Sequence, residues 1–232
     1  MMKKIQILIF LSIICSLTSC LDEVEWAIDD TDEPTIISDG PDVTEKPIEH
    51  LDIPNLLKSS CVMISTETGL GSGAFVKNDL VVTNHHVIWD DYTNQLCVDI
   101  TIKNQKGETS SAEVVKYDYQ NDLAILKLNN KIANKVLEIN SERPIIGSDL
   151  WVSGAPLGLE GTLSRGIVSN IQKSLDGLLI QHSANITSGS SGGPVVNLSG
   201  SLIGVSMGGL GEANLNFAVP AKFIKSMLED LE

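Results

Sequence analysis

The sequence predicts an all-β domain that ends in one helix. Short apolar or alternating runs recur with turn residues between them, and many are rich in valine and isoleucine. Many short strands at regular spacing are typical of a β-sandwich or of β-barrels, and strand propensity does not distinguish the two. The predicted strands are CVMIST (61–66), GAFVKNDLVVTN (73–84), CVDITIKN (97–104), SAEVVKYD (111–118), LAILKL (123–128), DLWVSGA (149–155), TLSRGIVSNIQ (162–172), LLIQHSA (178–184), GPVVN (193–197), SLIGVSM (201–207) and NLNFAVP (214–220).

Only the last segment, PAKFIKSMLEDLE, has the pattern of a helix. Ile224, Met227, Leu228 and Leu231 fall on one face at helical spacing. Pro220 suits the first turn of a helix, because proline has no backbone N–H and the N–H groups of that turn have no partner within the helix. The sequence therefore predicts one short C-terminal helix after the last strand.

The first twenty residues have the pattern of an export signal. Lys3 and Lys4 precede an almost wholly apolar run from 5 to 17, which is too short for a comfortable membrane span. The segment LTSC (17–20) resembles a bacterial lipobox, in which the signal is cut before the cysteine and lipid is attached to it. This predicts a signal peptide over 1–19 and a lipid on Cys20 that anchors the protein to a membrane outside the cytoplasm, in the periplasm or at the surface. An ordinary signal peptide with an incidental cysteine is the alternative.

Residues 21–52 carry most of the acidity of the chain. They contain twelve Asp and Glu residues and one Lys, a net charge of −11 out of −14 for the whole chain. A proline-containing acidic stretch with little apolar content cannot bury a core, so residues 20–52 are predicted to form an extended tether. The tether is either a solvated spacer or a sorting signal, and an acidic chain provides no surface for nucleic acid.

Four cysteines are encoded, and two of them, Cys61 and Cys97, lie in the remaining domain, residues 53–232. Outside the cytoplasm such a pair can form a disulfide, and two buried free thiols are equally consistent with the sequence. No spacing typical of metal ligands is present, and the glycine-rich stretch 69–73 leads into a strand instead of the helix that a nucleotide site needs. The sequence therefore predicts neither a metal nor a cofactor.

A candidate nucleophile, Ser191, lies in GSSGGPVVN (189–197). A serine hydroxyl is a poor nucleophile at neutral pH and needs a histidine to accept its proton and a carboxylate to orient that histidine. His85 and His86 follow an apolar run, and Asp122 directly precedes the apolar run LAILKL, where a carboxylate is expected to be partly buried and paired. The order His, Asp, Ser differs from the orders of α/β-hydrolases and of subtilisin-like enzymes.

Four segments of the chain occur in the order in which one protein family carries its motifs. TNHHV (83–87) is similar to T-N-x-H-V, DYQNDLAILKL (118–128) to D-x-x-x-D-L-A-[IV]-L-K, GSSGGP (189–194) to G-[NS]-S-G-G-P, and NFAVP (216–220) to N-F-A-[IV]-P. On these segments the chain from about residue 58 to 228 resembles the trypsin-like serine proteases, in particular the protease domain of the bacterial HtrA/Deg family.

The resemblance implies two packed antiparallel six-stranded β-barrels with a short C-terminal helix, and the activity of a serine endopeptidase. His86 is then the general base, Asp122 orients it, and Ser191 attacks a peptide carbonyl to form an acyl-enzyme that water hydrolyses. The backbone N–H groups of Gly189 and Ser191 form the oxyanion hole, and Gly189 can adopt a backbone conformation closed to other residues.

The resemblance also implies a substrate pocket. Residue 185 is Asn, so the acid that cleavage after Lys or Arg requires is absent there, and Ile186 matches an apolar wall position. Small or medium aliphatic residues are therefore expected at P1, the residue whose carbonyl is attacked. His182 is either a strand-end histidine that is hydrogen-bonded or solvated, or a pocket wall that contacts an acidic substrate residue. The predicted pocket residues are His182, Ile186, Asn216, Phe217 and Ala218.

The sequence also departs from its relatives. Ser190 stands where zymogen-activated relatives carry an Asp that pairs with a newly cut N-terminus, so that activation is not expected. The chain ends twelve residues after Pro220, so no following PDZ domain is expected, and residues 20–52 resemble no trimerisation segment, which leaves the oligomeric state open. The expected substrates are unfolded or exposed protein segments. A protease-like peptide-binding module, or a protease with one dedicated protein substrate, is the alternative.

Overall fold

The structure is a computed structural model that describes residues 51–133, 135–174, 177–210 and 215–231. Within these residues the chain forms two α-helices and fourteen β-strands. The helices are α1 (Ile53–Ser60) and α2 (Lys222–Glu229). The strands are β1 (Cys61–Ser65), β2 (Leu70–Lys77), β3 (Leu80–Thr83), β4 (Trp89–Asp90), β5 (Gln95–Leu96), β6 (Ile100–Asn104), β7 (Thr109–Asp118), β8 (Leu123–Leu128), β9 (Asp149–Gly154), β10 (Thr162–Ser174), β11 (Gly177–His182), β12 (Pro194–Asn197), β13 (Leu202–Leu210) and β14 (Leu215–Pro220).

Twelve of these strands form two closed antiparallel barrels of six strands each. The strand order is β1-β2-β3-β8-β7-β6 in the first barrel and β10-β11-β14-β13-β12-β9 in the second, and β4 pairs with β5 in a separate hairpin. Closure leaves neither barrel with an unpaired edge strand. The prediction of two six-stranded barrels with a C-terminal helix is confirmed.

Buried apolar side chains fill both barrels and the space between them. Phe75 lies in the cluster inside the first barrel, and Ile180 lies in the cluster inside the second. A third cluster joins residues of both barrels and both helices. Strand β3 belongs to two clusters at once, because Val81 points into the first barrel and Val82 points towards the second. The turn that follows β3 is therefore anchored between the barrels.

Helix α1 was not predicted from the sequence, so the expectation of a helix only at the C-terminus is wrong. Asp52 caps it by accepting a hydrogen bond from the backbone N–H of Asn55 at 3.1 Å, and Pro54 lies in its first turn. Buried Leu57 packs in the cluster between the barrels. An eight-residue helix has little stability of its own, so this packing holds it in place.

Helix α2 has the predicted buried face, but its ends differ from the prediction. Ile224, Met227 and Leu228 are buried, whereas Leu231 lies beyond the helix and is 39% exposed. Pro220 ends β14 instead of opening the helix, which starts two residues later. Strand pairing of Pro220 with Gly204 holds it in the sheet.

Cys61 and Cys97 are buried free thiols, so the disulfide alternative is not realised. Burial raises the pKa of Cys61 to about 11, and burial is also the main reason that the pKa of Cys97 is raised. Protonated thiols in such places behave as small apolar side chains.

The part of the chain that the structure describes contains no helix long and apolar enough to cross a membrane. The predicted signal peptide, Cys20 and nearly all of the acidic tether lie outside the described residues.

Candidate active site

The three predicted catalytic residues lie in turns that the two barrels bring together. His86 lies in a short 3₁₀ turn after β3, and Asp122 lies in the turn between β7 and β8, both in the first barrel. Ser191 lies in the loop between β11 and β12 of the second barrel. The backbone N–H of Ser72 in β2 donates to the carbonyl of Ser191 at 2.8 Å, which ties that loop to the first barrel.

The carboxylate of Asp122 makes two contacts with His86. Its Oδ2 lies 2.7 Å from His86 Nδ1, and its Oδ1 accepts the backbone N–H of His86 at 2.9 Å. A carboxylate against Nδ1 favours the tautomer with the proton on that nitrogen, which leaves Nε2 free to accept one. The Asp122 side chain is 20% exposed, so water screens this pair only in part.

The backbone of Asp122 has an unusual conformation that Asn84 supports. Its φ of 52° lies in the left-handed region, which Asp tolerates better than most residues. The side-chain amide of buried Asn84 donates to the Asp122 carbonyl at 2.9 Å. Asn84, two residues before His86, therefore fixes the turn that presents the carboxylate, a role that the sequence pattern alone did not reveal.

The neighbouring histidine, His85, has a different environment. It is buried, and its ring lies 5.1 to 5.4 Å from those of Trp89, Tyr117 and Tyr119. Burial lowers its pKa, and the charge of Asp122 opposes this shift in part. The geometry thus separates the two histidines: His86 contacts the carboxylate, and His85 packs in an aromatic cluster.

The hydroxyl of Ser191 has its hydrogen-bond partner in the second barrel. Its Oγ donates to the carbonyl of Met207 in β13 at 3.1 Å. Within the described residues no hydrogen bond joins Ser191 to His86. The site therefore brings all three predicted residues into one region but joins only His86 and Asp122.

A tight turn precedes Ser191. The N–H of Ser190 donates to the carbonyl of Thr187 at 2.9 Å, and Gly189 has a φ of 93° at the third position of this turn, as in a type II turn. A Cβ at Gly189 would lie 2.6 Å from the carbonyl oxygen of Ala155, so glycine is required both for its conformation and for space.

The carbonyls of Ser188 and Gly189, on either side of the Gly189 N–H in the chain, both accept hydrogen bonds from residues outside the turn. The N–H of Leu157 donates to the Ser188 carbonyl at 3.0 Å, and the Ser72 hydroxyl donates to the Gly189 carbonyl at 2.7 Å. Because a trans peptide places its C=O and N–H on opposite sides, the Gly189 N–H points away from Leu157. The backbone N–H groups of Gly189 and Ser191 donate to no group in the described part of the chain.

Four of the five predicted pocket residues lie on paired strands of the second barrel, and Ile186 lies in the loop after β11. His182 pairs with Asn216, Gln181 with Phe217, and Ile180 with Ala218. His182 is 1% exposed, so the interpretation of a solvated histidine is wrong, and backbone groups of Ala184 and Phe217 lie close to its ring. Burial lowers its pKa to about 4, although nearby backbone groups oppose the shift.

A cavity of about 300 Å³ lies beside the residues that precede Ser191. Of the five predicted pocket residues, Ile186 lines it, whereas the cavity wall contains none of the other four. Its remaining walls come from β9, the turn after it, β10 and the loop between β11 and β12. The lining residues are Val152, Ser153, Gly154, Pro156, Thr162, Leu163, Ser164, Asn185, Ile186, Thr187 and Ser190.

The fold and the arrangement of these residues agree with a known family. Residues 71–205 match the trypsin-like peptidase domain, and the chain belongs to that family. It is 34% identical over 177 residues to the periplasmic pH-dependent serine endoprotease DegQ of Escherichia coli, an alignment that covers 70% of this chain and 37% of DegQ.

Two further relatives are similar over the same domain. The serine protease Do-like HtrB of Bacillus subtilis is 32% identical over 179 residues, covering 69% of this chain and 38% of HtrB. The solved structure of a serine endoprotease from Yersinia pestis superposes with a TM-score of 0.67 at 29% identity, covering 81% of this chain and 68% of that one. The chain thus spans little more than a third of DegQ and of HtrB.

Proposed function

We propose that this protein is a serine endopeptidase that cleaves unfolded or exposed protein segments through His86, Asp122 and Ser191. The observation that carries the proposal is the contact between His86 Nδ1 and Asp122 Oδ2 at 2.7 Å. His86, Asp122 and Ser191 all lie within residues 71–205, the part of the chain that matches the family. Family membership and the names of DegQ and HtrB support the reaction class.

The proposed reaction begins with rotation of the Ser191 side chain from the Met207 carbonyl to His86 Nε2. Ser191 Oγ then attacks the substrate carbonyl while His86 accepts its proton, and Asp122 stabilises the imidazolium. His86 returns the proton to the leaving amine, and water hydrolyses the acyl-enzyme. The N–H groups of Gly189 and Ser191, which donate to no group among the described residues, would bind the oxyanion of each tetrahedral intermediate.

The experiment compares the full chain with S191A and with the matched control S199A. Ser199 is an exposed serine of the turn between β12 and β13, and no contact of its hydroxyl is part of the proposed mechanism. The three proteins are treated with a fluorophosphonate probe and with unfolded casein. We expect labelling and cleavage by the parent and by S199A, and neither by S191A. Equal cleavage by S191A would refute the proposal.

A preference for small or medium aliphatic residues at P1 is part of the proposal. It rests on partly buried Ile186, which packs against the core of the second barrel, and on Asn185 in place of an acid. Cleavage-site profiling of a peptide library with the parent and with I186A tests it. A dominant preference for Lys or Arg at P1 would contradict it.

We also propose that the protein acts outside the cytoplasm, attached to a membrane by lipid on Cys20. The segment LTSC (17–20) and the periplasmic relative DegQ support this location. In bacterial cells fed an alkynyl fatty acid, the parent should carry the label and sediment with membranes. C20S should carry no lipid label and lose its membrane attachment, and labelling of C20S equal to that of the parent would contradict the anchor.

A peptide-binding module without catalysis is the second candidate. The hydrogen bond of Ser191 Oγ to the Met207 carbonyl, 3.1 Å long, favours it because this hydroxyl is not activated in the described arrangement. The same experiment separates the two functions. A folded parent that binds casein but is neither labelled nor able to cleave it would support the binding module.

A further inference from the structure

We propose that Ser72 is a positioning residue of the oxyanion hole, an inference that rests on the proposed function. Its hydroxyl donates to the carbonyl of Gly189 at 2.7 Å and accepts the backbone N–H of Ala155 at 2.8 Å. Ser72 lies in β2 of the first barrel, whereas Gly189 and Ala155 belong to loops of the second. One side chain thus bridges two loops across the barrel junction.

The backbone of Ser72 reinforces this contact. Its N–H donates to the carbonyl of Ser191 at 2.8 Å, and its own carbonyl accepts the hydroxyl of Thr83 at 2.7 Å. The carbonyls of Gly189 and Ser191, on either side of Ser190, are therefore both held by one residue. Thr83 ends β3, the strand that leads to His86, so Ser72 also connects the serine loop to the element that carries the proposed base.

Gly189 needs such an external restraint because the backbone of a glycine can adopt many conformations. A glycine adopts positive and negative φ with similar ease, so the peptides on either side of it can turn over at little cost. The N–H of Leu157 holds the preceding peptide by the Ser188 carbonyl, and Ser72 holds the following one by the Gly189 carbonyl. With both planes fixed, the Gly189 N–H keeps the direction in which the oxyanion hole requires it.

Loss of the Ser72 hydroxyl would leave two buried groups without a partner. Ala155 and Gly189 are both buried, so neither the Ala155 N–H nor the Gly189 carbonyl can readily turn to bulk water. The turn at Gly189 is the part most able to rearrange, and a rearranged turn no longer presents its N–H to the substrate. Loss of the Ser72 hydroxyl should therefore weaken stabilisation of the transition state and leave substrate binding nearly unchanged.

The test compares S72A with S110A in the full chain. Ser110 is a matched control: it is 3% exposed, its hydroxyl donates to the Ser111 carbonyl at 2.8 Å, and it accepts the Asn130 N–H at 2.9 Å, all away from the serine loop. We expect S72A to lose about tenfold to a hundredfold in kcat with KM within about twofold, and S110A to keep kcat within about twofold.

A peptide boronate, which forms a tetrahedral adduct with the serine, gives a second readout. Its inhibition constant should rise for S72A by about the same factor as kcat falls, because both depend on the oxyanion donors. If S72A does not fold, S72C takes its place, since a thiol of similar size is a weak donor and should cause a smaller loss of the same kind.

The outcomes are distinct. If the parent is active and S72A is as active as S110A, the role of Ser72 is overturned and the proposed function stands. The same holds if S72A changes only KM, or loses activity only in proportion to the fraction of protein that is unfolded. A parent as inactive as S191A would overturn the proposed function, and the role of Ser72 with it. A selective fall in kcat and in boronate affinity would support both.

Discussion

The substitution D122N tests the proposed role of Asp122 with little change of shape. Asp122 has a φ of 52°, which Asn tolerates as well as Asp does, and the backbone N–H of His86 at 2.9 Å requires an acceptor at Oδ1. The amide oxygen of the substituted side chain must therefore face that N–H, which directs its NH₂ group at His86 Nδ1. Because Nδ1 must then accept a hydrogen bond, the imidazole proton moves to Nε2, and the ring can no longer accept the proton of Ser191.

A wrong histidine tautomer of this kind lowers kcat by about 10⁴-fold in a serine protease, which corresponds to about 5 kcal/mol of activation free energy. The assay measures kcat and KM on a fluorogenic peptide, together with the midpoint of urea unfolding. D90N is the matched control, because Asp90 also accepts one backbone N–H and one side chain, those of Tyr92 and Thr93. A D122N protein that folds normally and keeps kcat within about tenfold of the parent would refute the reasoning.

Two further predictions concern stability. G192A should destabilise the fold by about 3 kcal/mol or more, because its Cβ would lie 2.0 Å from the Ser72 carbonyl oxygen. G107A is the control: Gly107 has a similar φ and nothing within 4 Å of an added Cβ, so this substitution should cost only about 1 kcal/mol. Equal losses of unfolding free energy in urea would contradict the steric argument. His182 is neutral in the folded state, with a pKa of about 4 against 6.5 in the unfolded chain, so protonation of the unfolded chain lowers stability as pH falls from about 6.5 to 4. In H182L the free energy of unfolding should fall less over this range, by on the order of 3 kcal/mol, and parallel pH curves for H182L and the parent would contradict the buried neutral state.

Much of the fold could be predicted because the strand signals are local. Runs such as LAILKL and the repeated turn residues indicate strands wherever they occur, and the four family motifs then specify two barrels. Helix α1 was missed because its eight residues are too few for a periodic pattern and because it is stabilised by packing of Leu57 between the barrels. The start of α2 was misplaced because Pro220 suits a helix start and a strand end equally well.

The sequence by itself determined the residue types of the candidate site and their order: two histidines after a buried strand, a carboxylate before another, and a serine among glycines. The tertiary structure decided which groups meet. It paired His86 with Asp122, buried His85 among aromatic rings, turned the Ser191 hydroxyl to Met207 and placed Ser72 against Gly189. The Ser72–Gly189 contact joins positions 117 apart and depends on how the two barrels pack. The His86–Asp122 and Ser191–Met207 contacts join positions 36 and 16 apart within one barrel each, so they depend on how the strands of that barrel are arranged.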